Sequence, residues 1–238
     1  MPRGRVDAQP AYVLHTRPYR ETSLLVEAFS RDYGRVALLA RGARRPHSTL
    51  RGLIMAFQPL ELSWSGKGEV LTLMKAEWQG GQPPLSGQTL FCGYYLNELL
   101  LRLLPREDAH TQLFMHYRNI LRHLGETADR QETAESGLRS FERALLSELG
   151  YGLTLDRDHL GQPVAAAARY RYEIERGPVL AGARDAADPS ALIGQSLLDM
   201  ACDNYASPVT RNEAKQLMRR LLAYYLEGAE LHSRALFT

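Results

Sequence analysis

Hydrophobic and polar positions alternate in short runs along the first 80 residues, which is the pattern of half-buried β-strands. Each run is five to seven residues long and is bounded by proline, by glycine or by a polar turn. The runs cover residues 11–15, 23–29, 35–40, 60–64 and 70–75. The turn Ser65–Gly68 would join the last two strands as a hairpin. This part of the chain is therefore predicted to be an all-β domain.

Beyond the break at Gly80–Pro84 the hydrophobic period changes to about 3.6, which indicates helices. The apolar stretch 90–104 is interrupted by polar residues and is shorter than the ~20 residues that cross a bilayer, so it is predicted as a buried helix. Two further helices would end at Gly125 and Gly150, each placed as a C′ glycine. Their apolar faces are Leu113, Tyr117, Ile120, Leu121 and Leu124, and Leu138, Phe141, Leu145 and Leu149.

The last helix is predicted to begin at a capping box, Thr210-x-x-Glu213, and to run to about Leu226. Its core face would carry Leu217, Leu221 and Tyr224. Between the helices, residues 169–174 and 179–180 flank Arg176–Pro178 and predict a small two-stranded ribbon. Residues 156–168 and 182–189 are predicted as loops.

Together these patterns predict an α+β protein with two domains. Residues 1–80 would form a five-stranded barrel, and residues 85–238 a mainly α-helical domain with a small β-ribbon insertion at 155–185. Five short β-strands suit an OB-fold, a barrel that commonly binds single-stranded nucleic acids. An SH3-like barrel would give the same periodicity.

Positive charge is concentrated in the barrel region. Residues 1–80 hold 12 Lys+Arg against 7 Asp+Glu, a balance of +5, while the remainder has a balance of −3. Guanidinium groups pair with phosphate oxygens and stack on bases, so this asymmetry favours a nucleic-acid partner over a merely solvated basic surface. The residues predicted to bind the nucleic acid are Arg17, Arg35, Arg41, Arg44, Arg45, Arg51 and Lys67.

Aromatic side chains in the same domain could stack on bases, although we expect at least half of them to fill the core. They include Tyr12, Tyr19, Tyr33 and Trp64. A second basic stripe on the last helix, Arg211, Lys215 and Arg219, is better interpreted as a solvated face.

No motif indicates an enzyme, a metal site or a cofactor. Gly66-Lys67-Gly68 lacks the remaining residues of a phosphate-binding loop, and no paired carboxylates stand in a recognisable catalytic setting. His116 and His123 share a helix without nearby cysteines or carboxylates. Cys92 and Cys202 are expected to be core residues. A hydrolase or nuclease that uses scattered His and Asp side chains remains a rival hypothesis.

The N-terminal Met1–Arg5 is not followed by the apolar segment of a secretory signal, so a cytoplasmic location is expected. No membrane partner is expected either. With DNA as the partner, the protein would be associated with the nucleoid.

Several segments together resemble the RecO family of bacterial DNA-repair and recombination mediators. The resemblance is carried, in order along the chain, by residues 11–24, Gly34–Val36, Ala40–Arg44 with Ser48–Leu50, Tyr94–Leu100, Leu138–Glu142, Leu149–Gly152 and Ser233–Phe237. They span residues 11 to 237, which makes the match specific although no single piece would be.

The resemblance implies an N-terminal OB barrel followed by a mostly helical domain. It also implies binding of single- and double-stranded DNA and annealing of complementary strands. The expected partners are RecR, single-strand-binding protein and, indirectly, RecA, which is loaded onto coated DNA. Many family members hold zinc with four cysteines, but residues 156–168 contain none here, so no zinc is expected. The chain also ends soon after Phe237, without the basic tail of some relatives.

In some family members the helical domain binds the acidic, phenylalanine-ended tail of single-strand-binding protein. The family's arginine–x–phenylalanine–glutamate stretch matches Arg139 here, and a guanidinium beside an apolar pocket suits a C-terminal Phe carboxylate. Tyr117, Leu121 and Arg143 are its expected neighbours. The alternative is that Arg139 simply pairs with Glu142 or Glu135. An OB-fold interaction module for RNA remains the chief rival to the whole interpretation.

Overall fold

A computed structural model describes residues 4–127, 131–182, 188 and 190–233. Five strands form a closed barrel in the order β1-β2-β3-β5-β4. They are β1 (Val6–Tyr19), β2 (Ser23–Ser30), β3 (Gly34–Ala40), β4 (Pro59–Ser65) and β5 (Val70–Trp78). The long β1 pairs with both β2 and β4, which closes the barrel, and β3 pairs with β5 in parallel. This order is that of an OB-fold and excludes the SH3-like alternative.

The barrel interior is filled by small and branched apolar side chains, as its size requires. Val13, Val26, Val36 and Leu38 are buried there, together with Trp64. A bulge between Val13 and His15 shifts the register of β1. Bulges bend a strand and let it turn from one pairing partner towards the next.

Two helices belong to the same compact unit as the barrel, which comprises residues 1–131 and 231–238. They are α1 (Gly87–Leu103) and α2 (Thr111–Glu126). Tyr12 of β1 and Phe29 of β2 pack against Phe114 and Tyr117 of α2, with ring centroids 5.3 to 6.0 Å apart. Part of the outer face of β1 and β2 is therefore covered by a helix.

The second compact unit comprises residues 132–230. It contains α3 (Gln131–Glu148), α4 (Gly194–Ala201), α5 (Pro208–Tyr225) and a three-stranded sheet of order β7-β6-β8. The sheet strands are β6 (Arg169–Glu173), β7 (Gly177–Leu180) and β8 (Leu192–Ile193).

The predicted fold class is confirmed: a five-stranded barrel precedes a helical part with a small sheet. The sequence pattern did not indicate α4 or β8. The division into domains 1–80 and 85–238 stays a prediction. Most of the predicted loop at 182–189 lies outside the described residues, as does the segment 234–237.

Three details of the predicted helices are wrong. Gly125 lies inside α2 rather than beyond its end, and α5 begins at Pro208 after the N-cap Ser207 rather than at Thr210. Tyr224 is 52 % exposed instead of facing the core. Cys92 is buried as expected, but Cys202, at the C-cap of α4, is exposed.

Among the described residues, no helix is long and apolar enough to cross a membrane.

Candidate nucleic-acid interface

The tip of the β1–β2 hairpin and the end of β3 meet at one end of the barrel. The register shows this directly, because Leu24 pairs with Pro18 on one side and with Ala40 on the other. Six arginines lie in these strand ends, in the β1–β2 turn and in the segment that follows β3. We call them the basic rim: Arg17, Arg20, Arg41, Arg44, Arg45 and Arg51.

The turn after β3 is fixed to the barrel by its backbone. Ala43 is fully buried in the barrel core, and the N–H of Arg44 donates to the carbonyl of Thr22 at 2.9 Å. The N–H of Arg45 donates to the carbonyl of Gly42 at 3.0 Å and closes a turn. Gly42 itself lies in the left-handed region, with φ +68°. The turn is thus held while the flanking arginine side chains remain exposed.

Arg44 differs from its neighbours because its guanidinium also joins two loops. Its Nη1 donates to the carbonyls of Arg20 and Glu21, each at 3.2 Å. Arg20 itself has φ +51° and lies 5.4 Å from the ring centroid of Tyr19, within cation–π range. The β1–β2 turn and the turn after β3 are consequently joined, and their arginines form one positively charged surface.

Within the described parts of the chain, no ion pair engages Arg17, Arg41, Arg45 or Arg51. Exposed guanidinium groups without a carboxylate partner can each bind phosphate oxygens through two parallel hydrogen bonds. Phosphate contacts of this kind position a nucleic acid without reading its sequence.

Arg35 is not part of this rim. Its side chain lies on β3 beside Glu27, with Nη1 3.6 Å from the carboxylate, and Arg106 also pairs with Glu27. Burial, together with the positive charge of Arg106, lowers the pKa of Arg35 despite the attraction of Glu27. Only 17 % of the Arg35 side chain is exposed and its guanidinium faces Glu27, so Arg35 is less available to DNA than the rim arginines. Its predicted role as a DNA contact stays a prediction.

Lys67 lies away from the rim, in the exposed loop between β4 and β5. Its neighbours Gly66 and Gly68 line a cavity of about 370 Å³ together with Tyr33 and Trp64. Tyr33 precedes β3 and Arg41 follows it, so Lys67 and the rim are near opposite ends of that strand. At about 3.3 Å per residue, the strand separates them by roughly 20 Å.

A groove of about 220 Å³ is lined by residues of β1, β2 and β3, by Glu69 and Val70 at the start of β5, and by Arg106. Arg17 and His15 line it on β1, Leu25 on β2 and Ala37 on β3. In OB-folds this strand face and the adjacent loops are where oligonucleotides bind. Arg17, which lines the groove, belongs to the basic rim, and the carboxylates Glu27 and Glu69 also line it.

The four predicted partner-binding residues belong to two compact units, two to each, and each pair is described by itself. Tyr117 and Leu121 lie in the barrel-containing unit and are fully buried, and the Tyr117 hydroxyl donates to Oδ1 of Asn97. Burial raises the pKa of Tyr117 well above its ordinary value. Both are corrected to core residues, since neither has surface to offer a peptide.

Arg139 and Arg143 belong to the second unit. Arg139 is 9 % exposed, and its Nη2 donates to Oε1 of the buried Glu142 at 2.6 Å. Arg143 donates to the carbonyl of Ala201 at 3.1 Å and pairs with Asp203. The pairing with Glu142 that the sequence allowed as an alternative is thus present, whereas Glu135 pairs with Lys215 instead.

Sequence reasoning missed Arg20 and Arg106. Arg20 could have been found, because it ends the stretch Arg17-Pro18-Tyr19-Arg20 at a predicted strand end. Arg106 carries no local signal, since its partner Glu27 is 79 residues away in the chain.

The loop before β6, where the sequence predicts no zinc, is closed by a carboxylate. Oδ1 of Asp158 accepts the N–H groups of Leu160 at 2.9 Å and Gln162 at 2.8 Å. This segment has no cysteine, and in the described ranges no group of three or more His, Cys, Asp or Glu side chains is placed to hold a metal. The expectation of a chain without a resident metal stays a prediction.

Comparisons with known proteins match this architecture over its whole length. The family model described as "Recombination protein O N terminal" matches residues 6–81, and "Recombination protein O C terminal" matches residues 85–235. The chain belongs to the RecO family.

Relatives in the RecO family share about half of their residues with this chain or more. The DNA repair protein RecO of Dechloromonas aromatica (strain RCB) is 59% identical over 235 residues, which cover 99% of this chain and 96% of the relative. That of Aromatoleum aromaticum is 55% identical over 231 residues, covering 97% and 94%. That of Azoarcus sp. (strain BH72) is 53% identical over 233 residues, covering 97% and 94%. The resemblance read from the sequence motifs is confirmed, and the chain is a member of a DNA-repair family.

Proposed function

We propose that this RecO-family chain binds single- and double-stranded DNA through the basic rim and the adjacent face of β1, β2 and β3. The observation that carries the proposal is the convergence of exposed arginines from two loops at one barrel end, beside a groove on the strand face. A backbone-binding surface of this kind suits a protein that must act on any sequence.

The rim predicts that affinity depends steeply on salt. For a single strand, log K falls with log salt at a slope near ~0.7 for each phosphate that is neutralised. An oligothymidylate titration between low and moderate salt measures that slope. Salt-independent binding would remove the rim from the proposal.

A pair of matched double variants tests the location of the interface. Arg41→Ala/Arg45→Ala removes two exposed rim arginines, and Arg118→Ala/Arg122→Ala removes two exposed arginines of α2. The rim variant should bind DNA about tenfold or more weakly, with a slope reduced by about 0.7 to 1.4, because one or two phosphate contacts are lost. The α2 variant should stay near the parent. Equal losses in both would show that net charge, not the rim, sets the affinity.

The same titration with an RNA strand of equal length tests the rival function. A chain that serves RNA should bind the strand with 2′-hydroxyl groups more tightly, because that group is what distinguishes the two polymers. We expect no such preference.

We further propose that the chain is a non-catalytic mediator in the cytoplasm, at the nucleoid. It would anneal complementary strands and, with RecR, promote RecA loading onto DNA coated by single-strand-binding protein. Family membership supports this step.

Strand annealing measured on naked and on coated DNA tests it, and RecA filament formation with and without RecR tests the partner. Metal-dependent cleavage of a labelled oligonucleotide by the pure chain would favour the nuclease alternative instead.

Arg139 remains our proposal for the site of the single-strand-binding protein tail, now without Tyr117 and Leu121. The terminal carboxylate of the tail would have to share Arg139 with Glu142, which is completely buried. Removing one partner of a buried pair costs about 3–5 kcal/mol, so Arg139→Ala would confound folding with binding. Arg139→Lys keeps the charge but loses the paired geometry.

The test therefore compares Arg139→Lys with Arg157→Lys, an exposed arginine of the same unit. Binding of a tail peptide should weaken about tenfold in the first variant only, and DNA affinity should not change. Thermal unfolding of both variants serves as the folding control. Unaltered peptide binding by a folded Arg139→Lys chain would place the tail elsewhere.

A further inference from the structure

Three tyrosines gather on the surface of the second unit, far along the chain from the barrel strands. The rings of Tyr151 and Tyr225 stack with centroids 4.1 Å apart and 21° between their planes. Tyr224 meets Tyr225 edge-on at 5.3 Å. Tyr151 and Tyr224 are 45 % and 52 % exposed, which is unusual for rings that could have been buried.

These rings line an open cavity of about 620 Å³ that also contains two carboxylates. Glu175 comes from the turn between β6 and β7, and Glu227 follows the end of α5. In the described part of the chain, no ion pair joins Glu175 or Glu227 to a cation. The arginines of the same hairpin, Arg171 and Arg176, pair with Glu173 at 2.6 and 2.5 Å. The cavity is therefore aromatic and negatively charged.

The backbone at both carboxylates is held in a conformation that glutamate rarely adopts. Glu175 has φ +68° and Glu227 has φ +53°, in the left-handed region where glycine or asparagine is favoured. Each such residue costs free energy that the fold must offset, and such residues concentrate at binding sites. Glu227 follows the C-cap of α5 and Glu175 lies in the β6–β7 turn, so the turns account for the positive φ of both residues. Both turns place their carboxylates in the same cavity.

We propose that this tyrosine–glutamate cavity is a docking site for a partner protein that inserts an arginine or lysine side chain from an extended basic segment. A cation placed over an exposed tyrosine ring is attracted by the ring, and a guanidinium also stacks on it face to face. The two carboxylates add charge complementarity around the same cation. They also repel phosphate groups, so the cavity does not suit DNA, the proposed ligand of the basic rim.

The electrostatics of Tyr225 agree with this arrangement. Burial raises the pKa of Tyr225, and the negative charge of Glu175 raises it further. The ring of Tyr225 and the carboxylate of Glu175 line the same cavity, so a cationic group in it can face both.

The test uses the full chain and two labelled peptides with alternating glycine, one with four arginines and one with four citrullines in their place. Citrulline has nearly the shape of arginine without its charge. Fluorescence anisotropy should show the arginine peptide binding at least about tenfold more tightly than the citrulline peptide. Equal binding of the two would overturn the proposal.

Substitutions in the cavity then test whether the arginine peptide binds there. Glu175→Asn/Glu227→Asn removes both charges and relaxes the backbone, since asparagine tolerates positive φ. It should weaken the arginine peptide about tenfold, while thermal unfolding occurs at the same or a higher temperature. Tyr224→Leu should weaken it about threefold to tenfold. Tyr94→Leu and Glu126→Gln, exposed residues of the other unit, are the matched controls and should leave binding unchanged.

The outcomes separate this site from the DNA interface. Oligothymidylate affinity should be the same in the asparagine double variant and the parent. If the double variant binds the arginine peptide as the parent does, the cavity is not a docking site for a cation.

Discussion

Gly34 shows how closely one residue can join two parts of the barrel-containing unit. Its φ is +64°, and a Cβ atom built on it would lie 1.8 Å from the carbonyl oxygen of Asp108. Next to it, the N–H of Glu107 donates to the carbonyl of Arg35 at 2.9 Å. The turn before β3 and the loop between α1 and α2 thus approach backbone to backbone, which a side chain would prevent.

Gly34→Ala should therefore destabilise the protein strongly. The substitution adds backbone strain at positive φ and a clash with a main-chain carbonyl that cannot rotate away, so we expect a loss of about 3 kcal/mol or more. Urea unfolding measures it. Gly68→Ala, at a position with open space around the glycine, is the control and should cost less than about 1 kcal/mol. Similar losses at both positions would contradict the close approach.

Arg44 and Arg45 are neighbours that should behave differently when replaced. Arg44→Ala removes two hydrogen bonds to the carbonyls of Arg20 and Glu21 as well as a rim charge. It should lower both DNA affinity and the free energy of unfolding, the latter by about 1 kcal/mol. Arg45→Ala should lower affinity alone. Paired anisotropy and urea titrations decide this, and identical stability of the two variants would show that the Arg44 bridge contributes nothing.

Local signals explain which arginines the sequence could identify. Arg41, Arg44 and Arg45 stand among glycine and proline, so a loop with exposed side chains could be predicted from the sequence alone. Arg35 has the same charge, but its exposure and pairing depend on Glu27 and Arg106, and Arg106 is distant in the chain. Similarly, the helical spacing of Tyr117 indicates a buried face correctly, yet it does not say that the face covers the barrel.

At the scale of elements, one carboxylate on α1 attaches the segment that follows α5. Glu98 accepts the N–H groups of His232 and Ser233 at 2.9 and 2.8 Å and the Ser233 hydroxyl at 2.6 Å. Burial alone would raise the pKa of Glu98, but these hydrogen bonds and one from Arg102 hold it below its ordinary value. The ionised form is therefore the one that the fold stabilises.

Glu98→Gln should destabilise the protein by about 1–3 kcal/mol at neutral pH, because charge-assisted hydrogen bonds are lost. Since the folded pKa is lowered, the contribution of Glu98 is present above its unfolded pKa of about 4.5 and disappears as pH falls through the lower folded value. The difference between parent and variant should thus shrink below about pH 4.5. Glu126→Gln on α2 is the control, and a difference that is constant with pH would exclude the ionic attachment.

Helix ends show where sequence patterns compete. Thr210 and Glu213 satisfy a capping-box pattern, yet Thr210 donates to Asp199 at 2.8 Å and Glu213 accepts the N–H of Ile193 at 3.0 Å. Ser207-Pro208 was the correct signal, since proline is favoured at the first helical position. Gly125 does not end α2; a Cβ there would lie 2.8 Å from the carbonyl of Pro83. A glycine can serve close packing as well as a helix end.

At the scale of the whole molecule, strand and helix periodicity was sufficient for the fold class. Apolar and polar residues alternate along the five strands because each strand buries one face. Apolar residues recur about every 3.6 residues along the helices because each helix buries one side. Periodicity could not distinguish an OB-fold from an SH3-like barrel, because closure depends on β1 pairing with both β2 and β4 and on the parallel pairing of β3 with β5. These are long-range contacts that no local pattern encodes.

Buried tyrosines in both units predict that the protein loses stability in alkaline solution. Burial raises the pKa of Tyr12, Tyr172 and Tyr205 to about 12. The unfolded chain releases these protons near pH 10 while the folded protein keeps them, so the folded state binds more protons and unfolding becomes easier as pH rises above about 10. Each tyrosine should cost about 1 kcal/mol between pH 10 and 11.

Tyr12→Phe separates this effect from general charge repulsion. The phenylalanine has no proton to release, so the free energy of unfolding should fall less steeply between pH 10 and 11, by about 1 kcal/mol relative to the parent. Tyr94→Phe, whose ring is 45 % exposed, should retain the slope of the parent. Urea unfolding at pH 8, 10 and 11 measures the three slopes. If Tyr12→Phe and the parent lose stability in parallel, the hydroxyl of Tyr12 ionises as readily in the folded protein as in the unfolded chain, and its packing against Phe114 and Tyr117 does not exclude water.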